Sequence, residues 1–169
     1  MATAAQVSLE TYLTTSYERD PDYVDGVLEE RTGGEYDHNV VQRAIMIWFY
    51  LRGREWRIRS IQEQRTRVGS TRVRIPDVCV FPLDVPIEQV FTKPQLIAIE
   101  VLSPEDRHSR IEARMRNFRE FGVANIWVVD PETRGGVGFE RRELGAEGAL
   151  CGGGLADLSF AAGVVSEDR

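Results

Sequence analysis

Two carboxylates sit inside apolar runs: Asp77 in Val73-Arg74-Ile75-Pro76-Asp77-Val78-Cys79-Val80-Phe81, and Glu100 in Leu96-Ile97-Ala98-Ile99-Glu100-Val101-Leu102. Both runs have strand character, so each acid is expected in or beside a core. An unpaired carboxylate there costs on the order of several kcal/mol, so it must be protonated, paired or held by a cation. Mg²⁺ takes oxygen ligands and commonly uses only one or two protein carboxylates. Two acids converging from neighbouring strands would suit it. Pairing with a buried arginine such as Arg114 would answer the same need, and on these residues alone both solutions stay open.

The elements that must position these acids follow from pattern. Ser8 to Thr15 reads as a short helix capped by Ser8. Tyr23-Val24-Asp25-Gly26-Val27-Leu28-Glu29 reads as two strands turning at Asp-Gly, a strong hairpin signal. Asp37 is expected to cap a helix reaching about Leu51, with Val40, Val41, Ala44, Ile45, Trp48 and Phe49 on its apolar stripe and Gly53 ending it. Residues 56 to 81 read as strands with a turn at Gly69-Ser70, and Pro76 inside the last one favours an edge or a bulge. A bulge there would re-aim Asp77.

Residues 95 to 102 form the most apolar strand, expected to be buried on both faces. A helix from about Asp106 to Phe121, with Ile111, Met115 and Phe118 on its stripe, ends at Gly122. Asn125 to Val129 is the next strand, and the strand-helix-strand order implies a right-handed crossover and parallel pairing. Residues 136 to 142 add a short strand, Gly152-Gly153-Gly154 a loop, and the C-terminal tail is expected to fray. The expected architecture is α+β: one domain, with its core over about residues 8 to 160, built on a mixed central sheet flanked by two main helices.

Composition agrees with one globular domain: 169 residues, 42% hydrophobic and 28% charged. No apolar stretch approaches the roughly 18 residues of a membrane span, and no charged-then-apolar leader opens the chain, so a cytoplasmic location is expected. Cys79 and Cys151 lack metal-ligand spacing, and no disulfide is expected. The net charge of −6 argues against a generally basic nucleic-acid binder. Its distribution points the other way. Residues 52 to 74 carry eight arginines against Glu55 and Glu63, a local +6 that leaves −12 elsewhere. Arg57, Arg59, Arg65, Arg67, Arg72 and Arg74 are thus candidates to track a phosphate backbone, or else the solvated face of an antiparallel sheet. Of 21 basic residues only Lys93 is lysine.

Pro76-Asp77, Ile99-Glu100-Val101-Leu102-Ser103-Pro104, Phe118 to Gly122-Val123 and Ile126-Trp127-Val128-Val129-Asp130-Pro131, in that order and spacing, resemble the Uma-two family of restriction-endonuclease-like proteins in the PD-(D/E)XK nuclease superfamily. The likeness extends upstream to Tyr23 to Glu29 and His38, and downstream to Leu155 to Phe160. It implies a restriction-endonuclease-like fold and a Mg²⁺-dependent endonuclease, with Mn²⁺ as a substitute, acting on nucleic acid and in particular DNA. Asp77 and Glu100 would be the metal ligands, joined by the Val101 main-chain carbonyl. The superfamily lysine would fall at Leu102. The lysine that family members carry one helix later falls at Arg114, and the aspartate four residues before it at Arg110. Arginine can stabilise phosphate charge but cannot deprotonate a water, because it stays charged at any relevant pH.

Glu29 and His38 are auxiliary candidates, set against the plainer readings of a surface acid and a structural histidine. Gln62 and Gln64 read as surface residues, Ser103 as a strand terminator and Asp130 as a turn residue. Two other classes compete with the nuclease. One is a catalytically silent module of the same fold that binds nucleic acid or a partner; the other is a homodimeric structural protein whose strand edges pair.

Overall fold

Asp25 and Gly26 both take left-handed backbone, with φ of 49° and 91°, the pairing that a two-residue type I′ hairpin demands. They join β1 (Asp22–Val24) to β2 (Val27–Glu29), and the register sets Asp22 opposite Glu29. The computed structural model describes residues 6–32, 34–133 and 135–140. Before the hairpin, α1 (Leu9–Thr14) starts on Ser8, whose hydroxyl accepts the Thr11 N–H. β1 also pairs with β5 (Arg72–Arg74), which turns back at Ser70-Thr71, one residue later than expected, from β4 (Thr66–Gly69). These strands form a four-stranded antiparallel sheet of their own, in the order β2-β1-β5-β4.

A second sheet is mixed and has five strands, in the order β3-β6-β7-β8-β9. Its members are β3 (Ile58–Gln62), β6 (Val78–Pro82), β7 (Ile97–Val101), β8 (Asn125–Asp130) and β9 (Gly135–Glu140). β7 and β8 run parallel across α3 (His108–Phe121), as the strand-helix-strand order implies. The expected continuous strand through Pro76 is instead a passage between sheets: β5 ends at Arg74 and β6 begins at Val78. Proline has no N–H to give a ladder. The Asp77 carbonyl accepts from the Gln42 side chain at 2.9 Å and, one step beyond the paired ends of β3 and β6, from the Glu63 N–H at 3.2 Å. Pro76-Asp77 therefore lies where the two sheets meet.

The long helix α2 (Tyr36–Trp56) departs from expectation at both ends. Glu35, not Asp37, occupies the N-cap, and Asp37 sits in the first turn. Gly53 does not stop the helix, which runs on to Trp56 before Arg57 turns left-handed at φ 53° and donates to the Gly53 carbonyl. The extra turn is packed: the Arg52 guanidinium lies 4.1 Å from the Trp48 ring centre and 5.6 Å from that of Trp56. A Cβ at Gly53 would stand 3.0 Å from the Ile58 carbonyl oxygen, so the glycine serves close approach. α3 ends as expected, on Gly122 at φ 104°.

α2 and α3 cover different faces of the mixed sheet. Ile45 and Phe49 pack with Val78, Val80, Ile97 and Ile99, whereas Phe118 packs with Ala98, Val123 and Ile126. All five residues of β7 are buried. Strand alternation puts Glu100 on the side of Ala98 and hence toward α3. No helix among the described residues is long and apolar enough to cross a membrane. Cys151, the glycine run and the C-terminal tail lie outside the described residues.

Candidate active site

The antiparallel register of β6 and β7 pairs Val78 with Ile99, so one step further Asp77 stands across from Glu100. Both acids are almost completely buried, at 4% and 1% exposure. The Asp77 carboxylate is well supplied with donors. Oδ1 accepts from Arg31 at 2.9 Å, Oδ2 accepts the Val101 N–H at 2.7 Å, and His38 Nε2 lies 3.4 Å from Oδ2. Burial pushes its pKa up, but the His38 contact and the Arg114 and Arg31 charges outweigh it and hold the carboxyl below its usual range. The same contact raises the His38 pKa against the opposing effect of burial.

Glu100 is less satisfied. Oε2 is 3.0 Å from Arg114 Nη1, while Oε1 is buried with no hydrogen-bond partner. Burial pushes this carboxyl up to about 8; Arg114 opposes the shift, and the charges of Asp77 and Asp22 add to it. Arg114 projects from the buried stripe of α3 and is itself 6% exposed. Its guanidinium lies among three oxygens: Nε is 3.2 Å from Asp22 Oδ2 as an ion pair without a hydrogen bond, Nη1 is paired with Glu100, and Nη2 donates to the Ile75 carbonyl at 3.1 Å. Arg114, the residue aligned with the family lysine, is thus brought beside Glu100.

The hairpin sheet brings a further acid. Asp22, 2% exposed, accepts from Arg74 Nη1 at 3.0 Å and from the Ile75 N–H at 2.9 Å. Arg74 Nη1 also donates to Glu29 at 2.6 Å, and its Nε to Asn117 at 2.9 Å. Glu29 is therefore a half-buried member of the cluster, not plain surface, and His38 faces Asp77 from the buried side of α2. Asp22, Arg31, Gln42 and Asn117 were missed in the sequence. For Asp22 a signal existed, because an Asp25-Gly26 two-residue turn places residue 22 opposite Glu29. Asn117 lies three residues beyond Arg114 on one helical face. Nothing local marks Arg31, which arrives on the loop between β2 and α2. That loop is tied to the approach to α3 by the Thr32 hydroxyl on Asp106, Ser103 on Glu35 at 3.1 Å, and Arg110 on the Glu30 carbonyl at 3.2 Å.

The arginine belt does not form one face. Arg57 caps α2 just before Arg59 in β3 of the mixed sheet, whereas Arg65 stands just before β4 and Arg67 and Arg72 lie in the hairpin sheet. Arg65 is paired with Asp20, Arg72 with Asp25, and Arg59 donates to the Leu83 carbonyl. Arg67 is exposed, and its guanidinium donates within its own turn, to the Gly69 and Ser70 carbonyls. Arg74 needs correction: it is 2% exposed and spends its donors on Asp22, Glu29 and Asn117. It holds the acidic cluster together and is out of reach of a phosphate backbone. Ser103 and Asp130 behave as terminators, the latter accepting the Glu132 N–H at 2.9 Å.

No group of three or more His, Cys, Asp or Glu among the described residues could hold a metal as an all-protein cage. Two facing carboxylates, one with an unpartnered oxygen, fit the sparser way in which Mg²⁺ is held. Against known proteins, the profile of the Uma2 family, described as "Putative restriction endonuclease", matches residues 9–149. A crystal structure titled as a putative nuclease belonging to DUF820, from Anabaena variabilis ATCC 29413, superposes with a TM-score of 0.67. The match covers 93% of this chain and 92% of that one at 16% identity, so it concerns the fold. No curated protein matches the chain.

Proposed function

The chain belongs to the Uma2 family, a nuclease family by description, and from that premise we propose that it is a Mg²⁺-dependent endonuclease acting on DNA. Asp77 and Glu100 would hold the metal, with the Val101 carbonyl as a third oxygen. The observation that carries this reading is Glu100 Oε1, a buried acceptor oxygen without a hydrogen-bond partner in a cluster whose other unpartnered buried atoms, Arg31 Nε, His38 Nδ1 and Arg114 Nε, are all nitrogens. Such an orphan is costly as a carboxylate oxygen unless a cation completes it, and without one burial favours the protonated acid.

Bound Mg²⁺ would supply what phosphodiester hydrolysis needs, a water of lowered pKa and relief of charge on the phosphate oxygens. The protein supplies the frame. Arg31, His38 and the Val101 N–H fix the orientation and charge of Asp77. Arg114 brings a permanent positive charge beside Glu100 and cannot take up a proton, so its part is electrostatic and not that of a base. Asp22 and the Ile75 carbonyl hold its guanidinium in place.

A second reading has its own observation. Arg31 and Arg114 already neutralise the two carboxylates at 2.9 and 3.0 Å, as a catalytically silent binding module would arrange. Cleavage of supercoiled plasmid in Mg²⁺ or Mn²⁺ by wild type, Asp77→Ala and Arg114→Lys separates the two. The nuclease reading expects cleavage that is lost in Asp77→Ala and increased in Arg114→Lys. Cleavage that survives Asp77→Ala would remove the chemistry from this site, and silence of all three proteins would leave the binding module.

A further inference from the structure

Two arginines neutralise the paired carboxylates, and they are anchored unequally. Arg114 is tied by Nη2 to the Ile75 carbonyl at 3.1 Å and stands beside Asp22 as well as Glu100. Arg31 has its hydrogen bond on Asp77 Oδ1 at 2.9 Å, while its Nε is buried without a hydrogen-bond partner. Its Nη1 lies 3.6 Å from Glu63 Oε1, an ion pair too long to be a hydrogen bond. One guanidinium thus stands between a buried carboxylate and an exposed one: the Asp77 side chain is 5% exposed and that of Glu63 44%.

Glu63 is held in this place by its backbone. Its N–H donates to the Asp77 carbonyl at 3.2 Å. Its φ of 50° is a left-handed conformation that residues with side chains seldom adopt and that clusters at functional sites when they do. It also lines an open polar cavity of about 510 Å³ with Asp20 and Arg65. A carboxylate fixed against Asp77 yet bordering open space can take up a guanidinium that leaves the core. Asp77 Oδ2 already accepts the Val101 N–H at 2.7 Å and faces His38 at 3.4 Å. Oδ1, the oxygen that Arg31 holds, is therefore the one left for a cation, and two cations on one oxygen repel. We propose, on the reading of Asp77 and Glu100 as metal ligands, that Arg31 is a resident counter-ion of Asp77 which a divalent cation displaces, and that Glu63 receives its guanidinium. Without metal, Arg31 compensates a buried charge that would otherwise be stranded. With metal, the same positive charge passes to an acid at the surface.

Mn²⁺ titrated into the metal-free full chain, with free ion followed by electron paramagnetic resonance, tests the exchange through binding alone. Arg31→Met and Arg31→Gln, the second of which keeps a donor but not the charge, should each bind Mn²⁺ at least about tenfold more tightly than wild type. Glu63→Gln, which deletes the acceptor, should bind about threefold more weakly, the scale of one exposed ion pair. In the Arg31→Gln background Glu63→Gln should change nothing, because no guanidinium is left to receive. Far-ultraviolet circular dichroism checks that each variant keeps its fold. Wild-type binding that both Arg31 variants leave equal or weaker, or that Glu63→Gln leaves unchanged, would overturn the exchange and leave the metal site standing. So would a Glu63 effect that persists without Arg31, since Glu63 would then act on the cation directly. Absence of binding in wild type and the Arg31 variants alike would remove the metal reading itself, and the exchange with it.

Discussion

Replacing Glu100 with glutamine removes the charge from the most deeply buried acid of the site while keeping its shape. The folded protein holds this carboxyl at about 8, against an ordinary value of 4.5. A raised carboxyl pKa means that the folded state binds the extra proton between those two values, so stability falls as pH rises through that window. The slope is about 1.4 kcal/mol per pH unit, which makes a loss of about 4 kcal/mol between pH 5 and pH 8. Glutamine cannot ionise and escapes this loss. Urea unfolding in EDTA should therefore show wild type and Glu100→Gln close in stability at pH 5, with the variant gaining by about 4 kcal/mol by pH 8. Comparing the two proteins at each pH cancels the titrations of groups remote from Glu100. A difference that stays constant from pH 5 to pH 8 would refute the reasoning, because Glu100 would then ionise normally with Arg114 supplying the whole of its compensation.

Asp22→Ala should destabilise the protein by about 3–5 kcal/mol in urea, since Arg74 and Arg114 lose their shared buried counter-charge. Phe91→Ala should cost a similar amount, about 3–5 kcal/mol, by emptying the stack against Phe81, whose ring centres are 4.1 Å apart. Two arginines from the same sequence stretch should behave oppositely. Arg74→Ala should lower the melting temperature sharply, whereas Arg67→Ala should leave it unchanged. If the exposed Arg67 tracks DNA, its removal should also reduce the slope of log affinity against log salt by about 0.9.

Local chemistry made much of the fold legible. Asp25-Gly26 fixes a hairpin, Gly122 a helix end, and the apolar run at residues 95 to 102 a strand buried on both faces. The reading faltered where tertiary contacts override local rules. Gly53 looks like a stop but is a point of close approach to the Ile58 carbonyl, while Arg52 stacking on Trp48 and Trp56 packs the added turn. Pro76 looks like a bulge yet carries the chain from one sheet to another, which a one-dimensional pattern cannot distinguish. At the site, Asp77, Glu100 and Arg114 stood out as charged groups interrupting apolar stripes. Arg31 and Asp22 did not, since each sits at an element's edge in a polar neighbourhood and becomes buried only when the hairpin sheet and the loop after it close over Asp77. Reading Arg74 as a phosphate contact failed for the same reason: alternation places it on one face of a short strand, but not whether that face meets water or Asn117 and Asp22.

Mn²⁺ titrated into the metal-free protein, followed by the loss of the free-ion electron paramagnetic resonance signal, tests the central claim most directly. The account predicts saturable binding by wild type that both Asp77→Asn and Glu100→Gln abolish. No binding by folded wild type, or binding that survives Glu100→Gln undiminished, would contradict it.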